Sequence, residues 1–264
     1  ACQTCHIPSL AVKDPTKTYW DWSTAGIKTN GQNFIIRDAN GDPIYDTQKG
    51  SFTWARDVVP DYVWFNGQVD YLTVSSVVDP SQRVKVNTLH GSAADPRSRI
   101  MPVKRFTGRQ PYDPIYNVLA VPNLFPNDAN DTNAYWRAFN WTNAIASGMA
   151  YVGQPFSGEV GWVDTEFFWI ENHMVAPKEK AVSCEECHAR QGGRLAKLGG
   201  FYLPGRDRSR LLDGLGSFLL LATAAAVVGS GSESSGFGLQ VAAWLWLTVL
   251  FANFAEALAI ATNL

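Results

Sequence analysis

Cys2-Gln3-Thr4-Cys5-His6 and Cys184-Glu185-Glu186-Cys187-His188 are the two stretches on which the reading turns, and between them they use all four cysteines of the chain. C-x-x-C-H is the attachment signature of c-type haem. Two intervening residues bring both sulfurs within reach of the two vinyl groups of one porphyrin, and the adjacent histidine meets the iron from that face. The identity of that nitrogen and of the opposite axial ligand sets the redox potential. Paired cysteines also make thioredoxin-like redox pairs, disulfides and zinc sites, but a four-cysteine zinc site leaves both adjacent histidines unexplained. The reading is two haem c groups, bound through Cys2 and Cys5 and through Cys184 and Cys187, with His6 and His188 as axial ligands of iron.

This chemistry points to a compartment. Thioether formation needs reduced cysteines and haem on the outer face of an energised membrane, so a periplasmic haem domain is expected. A haem motif at residue 2, in a chain that starts with Ala1, reads as the C-terminal piece of a longer protein.

The 264 residues carry 22 Lys+Arg and 24 Asp+Glu, a net charge of −2, with 17% charged and 46% hydrophobic residues. Such a chain is too apolar to be disordered throughout and not basic enough for a dedicated nucleic-acid binder, so no nucleic-acid partner is expected. The average conceals a split. Asp213, Glu233 and Glu256 are the only charged residues in 211–264, so all 22 basic residues and 21 of the 24 acids fall in 1–210, which has a net charge of +1. Two domains follow: a dihaem domain over 1–205 and a tail over 211–264.

Within the first domain, 33–45 reads as a hairpin turning at Asn40-Gly41. Residues 69–78 are β-branched and suit a strand. From 79 to 131, repeated prolines among Asp, Asn and Gly suggest irregular chain. Residues 133–152 suit a helix weakened by Gly148, and aromatic-rich 165–175 suits another. The expected fold class is a multihaem cytochrome c, mainly α and irregular, with a small β-hairpin element and a C-terminal two-helix transmembrane hairpin.

Four histidines occur in all. With His6 and His188 assigned, His173 and His90 remain for two distal iron positions. Met101, Met149 and Met174 offer His/Met ligation instead, although buried packing is the default for methionine. Arg97, Arg99, Lys104, Arg105 and Arg109 form a basic cluster. Such a run is ordinarily a solvated face; here it suits pairing with haem propionates or with an anionic substrate.

A resemblance extends this reading. Residues 1–8 (Ala1-Cys2-Gln3-Thr4-Cys5-His6-Ile7-Pro8), Pro15-Thr16-Lys17 and Trp20-Asp21-Trp22-Ser23-Thr24-Ala25-Gly26 resemble the C-terminal part of octahaem tetrathionate reductase-family cytochromes c. So do Lys49-Gly50-Ser51-Phe52-Thr53-Trp54, Trp64-Phe65-Asn66-Gly67, Asp95-Pro96 and Thr107-Gly108-Arg109-Gln110. Asn172-His173-Met174-Val175-Ala176-Pro177-Lys178-Glu179 and the second haem motif complete it, in order, over most of 1–200. The resemblance implies the last two of eight haems. That family reduces tetrathionate, nitrite and hydroxylamine at a haem with a lysine ligand, which belongs to sequence before residue 1. The chain would then hold one end of an electron wire, with the upstream haem domain and a membrane quinol-linked donor as partners. Phe106 stands where the family tends to have His before its Thr-Gly-Arg/Lys-Gln stretch. A vacant iron position there would make a terminal reductase of sulfur or nitrogen oxyanions, the enzymatic alternative.

In the tail, 211–229 is an apolar run of the roughly 20 residues that cross a bilayer and 237–264 is a second, longer one, joined by polar Ser230-Gly231-Ser232-Glu233-Ser234-Ser235-Gly236. A hairpin anchoring the haem domain in the bacterial inner membrane is expected, with the lipid bilayer as a partner. Residues 243–258, including Trp244-Leu245-Trp246-Leu247-Thr248-Val249-Leu250-Phe251-Ala252-Asn253-Phe254-Ala255-Glu256-Ala257, resemble a transmembrane helix of the potassium-transporting P-type ATPase B subunit. Asn253 and Glu256 are costly inside such a helix and ordinarily functional. The pump's phosphorylation motif is absent, so a pump-subunit alternative implies no transport activity.

Overall fold

The computed structural model describes residues 1–189, 191–203, 206–207, 214–216, 218–219, 221–223 and 244. These fall into two compact units, Ala1–His90 with Arg99–Val182, and Gly91–Ser98 with Ser183–Leu264.

In the first unit the strands are β1 (Thr16–Asp21), β2 (Ile35–Arg37), β3 (Pro43–Asp46), β4 (Gly50–Ala55), β5 (Asp61–Phe65), β6 (Val69–Tyr71), β7 (Val84–Lys85), β8 (Asn87–Leu89), β9 (Arg99–Asp113), β10 (Val118–Leu119) and β11 (Gly161–Ile170). Its α-helices are α1 (Cys2–His6), α2 (Tyr135–Ala138) and α3 (Trp141–Tyr151). A nine-stranded sheet runs β2-β3-β4-β1-β9-β11-β7, with β5 and β10 also paired to β9, while β6 and β8 form a separate ribbon.

The expectation of a mainly α and irregular fold is therefore corrected: the first unit is built on a β-sheet. Its longest strand, β9, has 15 residues, against 11 for the longest described helix. Val103 faces Asp61 on one side and Ile170 on the other, and Tyr112 faces Leu119 and Gly161. So β5, β1 and β10 take one edge of β9 in turn, and β11 runs along the other. Pro102 and Pro111 sit inside this strand because each falls where a neighbour stops. The carbonyl of Pro102 accepts from Glu171, just past the end of β11, and that of Pro111 from Ala120, just past β10. N–H and C=O of one strand residue point the same way, so the missing proline N–H faces a gap between partners and costs no ladder bond.

The other differences have local causes. Residues 165–170 belong to β11, not to a helix; Val163 and Thr165 are buried while Asp164 is exposed, the period of a half-covered strand. The helix expected over 133–152 is two, broken at Phe139, whose φ of 52° is left-handed. Asn140 then caps α3, its side chain accepting from the Asn143 amide. The hairpin at 33–45 is present as β2 and β3, with Gly41 at φ 85° in the turn. The transmembrane hairpin is also corrected: most of 211–264 lies outside the described residues, and among those described no helix is long and apolar enough to cross a membrane.

Much of the aromatic content packs on itself. Trp20 stacks on Trp22 at 4.5 Å, Trp22 meets the edge of Trp141 at 6.1 Å, and Tyr135 stacks on Trp141 at 3.8 Å. The Lys17 ammonium lies over Trp20 and Phe52 at 4.1 and 4.0 Å. Ile145 and Met149 of α3 join Val118 in a separate buried cluster.

In the second unit, Arg206 donates to the carbonyls of Leu195, Leu198 and Phe201 and to the Asp207 carboxylate. Leu195, Leu198 and Leu203 are buried around it. The chain of Gly91–Ser98 is tied into a turn, Ser98 Oγ accepting from the Ser92 amide at 3.1 Å.

Gly148 lies inside α3 where the backbone at Val121 packs directly on it, so an added Cβ would fall on the Val121 carbonyl. Alanine ordinarily favours a helix over glycine by about 1 kcal/mol, yet Gly148→Ala is expected to destabilise by about 1–3 kcal/mol through overpacking, read as a lower urea midpoint. Burial pushes the Tyr135 phenol up to about 12 from the ordinary 10. Below pH 10 both states keep the proton; between 10 and 12 only the unfolded chain releases it, so stability falls as pH rises through that window. Tyr135→Phe should flatten this part of the alkaline decline, by up to about 1.4 kcal/mol per pH unit, in melting curves from pH 9 to 12.

Candidate functional site

The first cysteine pair sits on a single helical turn. In α1, residues three apart share a face, and Cys2 and Cys5 are both exposed. The other face is anchored: Thr4 is buried and its Oγ1 donates to the Ile100 carbonyl of β9 at 2.5 Å, and Ile7 is fully buried. The thiols are thus turned outward by burial of what lies between and after them.

His6 is held from behind. Its Nδ1 lies 3.0 Å from the Ala176 carbonyl oxygen. A carbonyl only accepts, which assigns the proton to Nδ1 and leaves the Nε2 lone pair available to a metal. The Ala176 amide donates in return to the His6 carbonyl at 2.7 Å, and the Val182 amide to the Cys5 carbonyl at 2.8 Å. Three hydrogen bonds thus clasp α1 to chain about 170 residues away. Two outward thiols one turn apart, followed by an imidazole locked in the ligating tautomer, fit covalent haem.

The second pair lies on α4 (Cys184–Cys187), in the second unit. A capping box starts this turn: the Ser183 amide donates to Glu186 Oε1 at 3.0 Å, and the Glu186 amide to Ser183 Oγ at 3.4 Å. Arg194 donates from Nε and its terminal nitrogen to Glu186 Oε2 at 2.7 and 2.6 Å. The Ser183 amide and then Arg194 hold the Glu186 carboxyl below the ordinary range. The His188 amide donates to the Cys184 carbonyl at 2.9 Å. Cys184 and His188 are exposed and Cys187 is buried. Among the described residues no three of His, Cys, Asp and Glu are grouped to hold a metal ion, so zinc ligation finds no cluster there.

The remaining expected residues are dispersed. His90 follows β8, and its Nε2 is 2.6 Å from Asp70 Oδ2. His173 lies beyond β11, its side chain 76% exposed and its Nδ1 3.8 Å from the buried Glu171 carboxylate. Met149 is core; its sulfur accepts from the Val121 amide. Within the first unit, the basic residues of β9 take both faces of the strand. Arg105 and Arg109 share a face of β9 and pair with Glu166 at 2.7 Å and Asp164 at 3.3 Å on β11. Lys104 points to the opposite face and donates to Thr16 Oγ1 at 2.5 Å; burial lowers its pKa and Glu171 opposes this. Arg99 starts β9, and Arg97 lies in the second unit, 3.7 Å from Asp95. Phe106 stands in mid-β9 opposite Phe167. Ala176 and Glu171, which face the two histidines, have no sequence signal: a backbone carbonyl leaves none, and a lone acid beside aromatics reads as surface.

With the geometry in place, the likenesses are specific. A family model described as bacterial cytochrome c matches residues 17–191. A solved octaheme cytochrome c from Shewanella oneidensis is similar at a TM-score of 0.66 and 36% identity over 72% of this chain. The chain spans 43% of that longer protein. A 34-residue stretch is 62% identical to a potassium-transporting ATPase ATP-binding subunit of Dechloromonas aromatica (strain RCB), covering 13% of this chain and 5% of that protein.

Ser183→Ala removes the cap of a four-residue helix at a cost of about 1 kcal/mol. Amide exchange at His188 should accelerate about fivefold, measured by hydrogen–deuterium exchange, while amides of β9 keep their rates.

Proposed function

The chain belongs to the bacterial cytochrome c family, and from that premise we propose that it is an electron-transfer segment of a larger periplasmic multihaem cytochrome of the octahaem tetrathionate reductase kind. Redox function through haem follows from the family itself. The finer reading gives the chain two haems, bound through Cys2 and Cys5 and through Cys184 and Cys187, with His6 and His188 on their irons. The observation that carries it is the clasp at His6: an Nδ1 proton held at 3.0 Å by the Ala176 carbonyl, behind two exposed thiols.

Bound haem supplies one-electron exchange between ferrous and ferric iron. The chain's own residues position and tune it. Buried Thr4 and Ile7 fix the turn that presents the thiols, and the Ala176 carbonyl orients the imidazole and strengthens it as a donor, which favours ferric iron. His173 would be available to hold the iron of another haem. A membrane quinol-linked donor and upstream haems would be the partners with which this segment exchanges electrons. The short likeness to a pump subunit spans 5% of that protein and carries no activity here.

Expression with a c-type maturation system should give a chain retaining two haems after acid–acetone extraction, counted from the pyridine haemochrome spectrum and intact mass. Replacing Cys2 and Cys5 with alanine should leave one. No covalently retained haem would overturn the proposal.

A further inference from the structure

In the first unit, rings from β1, α2, α3 and β11 touch in series. Trp20 of β1 stacks on Trp22 at 4.5 Å, Trp22 meets Trp141 of α3 at 6.1 Å, and Trp141 meets Trp162 of β11 at 5.2 Å. Tyr135 of α2 stacks on Trp141 at 3.8 Å, with the rings 24° apart. Centroids at these separations place ring against ring. Indoles and phenols are also the side chains that most readily give up a single electron. Packing asks only that such rings touch, whereas the charges around these rings give them a direction.

Lys17 Nζ lies 4.1 Å from the Trp20 ring and 4.0 Å from that of Phe52. Lys49 and Asp46, the other charges that act on Lys17, pair with each other at 3.7 Å. Among the described residues Lys17 is therefore the uncompensated cation beside Trp20, and a positive charge on that ring is opposed by Coulomb repulsion. No cation of the described residues lies over Trp22, Trp141 or Trp162; Lys28 lies over Phe139, a ring beyond Tyr135. The stack of Tyr135 on Trp141 spreads a positive charge over two rings. Tyr135 shares that charge without carrying it off, because an oxidised phenol must expel its proton and this side chain is 1% exposed. The Trp20 indole N–H donates to the Lys49 carbonyl at 2.7 Å. That neutral acceptor leaves the proton on nitrogen, so oxidised Trp20 stays a cation and can pass its charge on.

We propose that Trp20, Trp22 and Trp141 form a relay that carries an electron vacancy from the Lys17 end of the aromatic chain to the Trp141–Tyr135 stack. A one-electron outer-sphere oxidant takes an electron from Trp20 and is itself reduced by one. Trp22 then gives an electron to the Trp20 cation, and Trp141 gives one to the Trp22 cation. Each hop moves one electron and no proton, breaks no bond and restores the ring it leaves. The vacancy rests at Trp141 until a one-electron reductant fills it. The relay holds a single oxidising equivalent inside the unit rather than on exposed rings such as Trp169. It uses only rings of the first unit and does not depend on haem attachment.

The test is photo-oxidation of the full chain, oxidised beforehand so that any haem is ferric, by tris(bipyridine)ruthenium(III) generated at one equivalent per chain. Low-temperature electron paramagnetic resonance reports the organic radical, and peptide mass spectrometry locates oxygen added to indoles. In the unaltered protein, oxidation at Trp141 should exceed that at Trp169, which is 54% exposed. Trp22→Phe keeps a ring in place but withdraws the middle carrier, so products at Trp141 should be lost and should accumulate at Trp20 instead. Lys17→Gln should raise the ratio of Trp20 to Trp141 products by about tenfold, repulsion at a partly exposed site being screened in part. Products at Trp141 that survive Trp22→Phe would reveal direct attack and overturn the relay. Products that follow exposure, led by Trp169, would overturn it without any variant. If Trp22→Phe does not accumulate, Lys17→Gln decides, and an unchanged ratio would overturn the proposal.

Discussion

Residues 99–113 hold the first unit together because both edges of one strand are used along its length. β11 pairs with residues 103–112 on one side, while β5, β1 and β10 follow one another on the other. The start of α1 is anchored to the same strand through Thr4 and Ile100. Glu171, at the exit from β11, bonds to Pro102, so the segment that reaches Ala176 begins from a position fixed by β9. The placement of His6 is in this sense a consequence of sheet register: a one-residue slip of β11 would turn every side chain to the other face and carry Ala176 away from the imidazole.

The two C-x-x-C-H turns were legible in the sequence because the motif is local. Five residues contain both thiols and the histidine, and α1 and α4 each form one turn over them. The hairpin of β2 and β3 was legible for the same reason, its turn being written in Asn40-Gly41. The long strand was not. Prolines at 102 and 111 argue against a strand unless one knows where its neighbours end, and that is a property of pairing rather than of composition. β11 is hard to read from sequence because Phe167, Phe168 and Trp169 break visible alternation, and burial alternates only over Val163, Asp164 and Thr165. The basic run from 97 to 109 looked like one patch, yet strand periodicity sends Arg105 and Arg109 to one face and Lys104 to the other, and acids on β11 meet the arginines.

What orients the histidines was beyond sequence reading. The partner of His6 is a main-chain carbonyl 170 residues away, and neither the identity of Ala176 nor its spacing announces it. Such a contact appears only when the sheet is assembled. Haem ligation is specified by short motifs, but tautomer and donor strength are specified by tertiary structure. A multihaem chain can therefore keep one attachment motif throughout and still give its haems different potentials.

The tautomer of His6 tests this account most directly. Proton–nitrogen correlation spectra of the reduced, haem-loaded protein should show a slowly exchanging Nδ1–H for His6, coupled through the hydrogen bond to the carbonyl carbon of Ala176. A rapidly exchanging Nδ1 proton without that coupling, or a proton on Nε2, would contradict it.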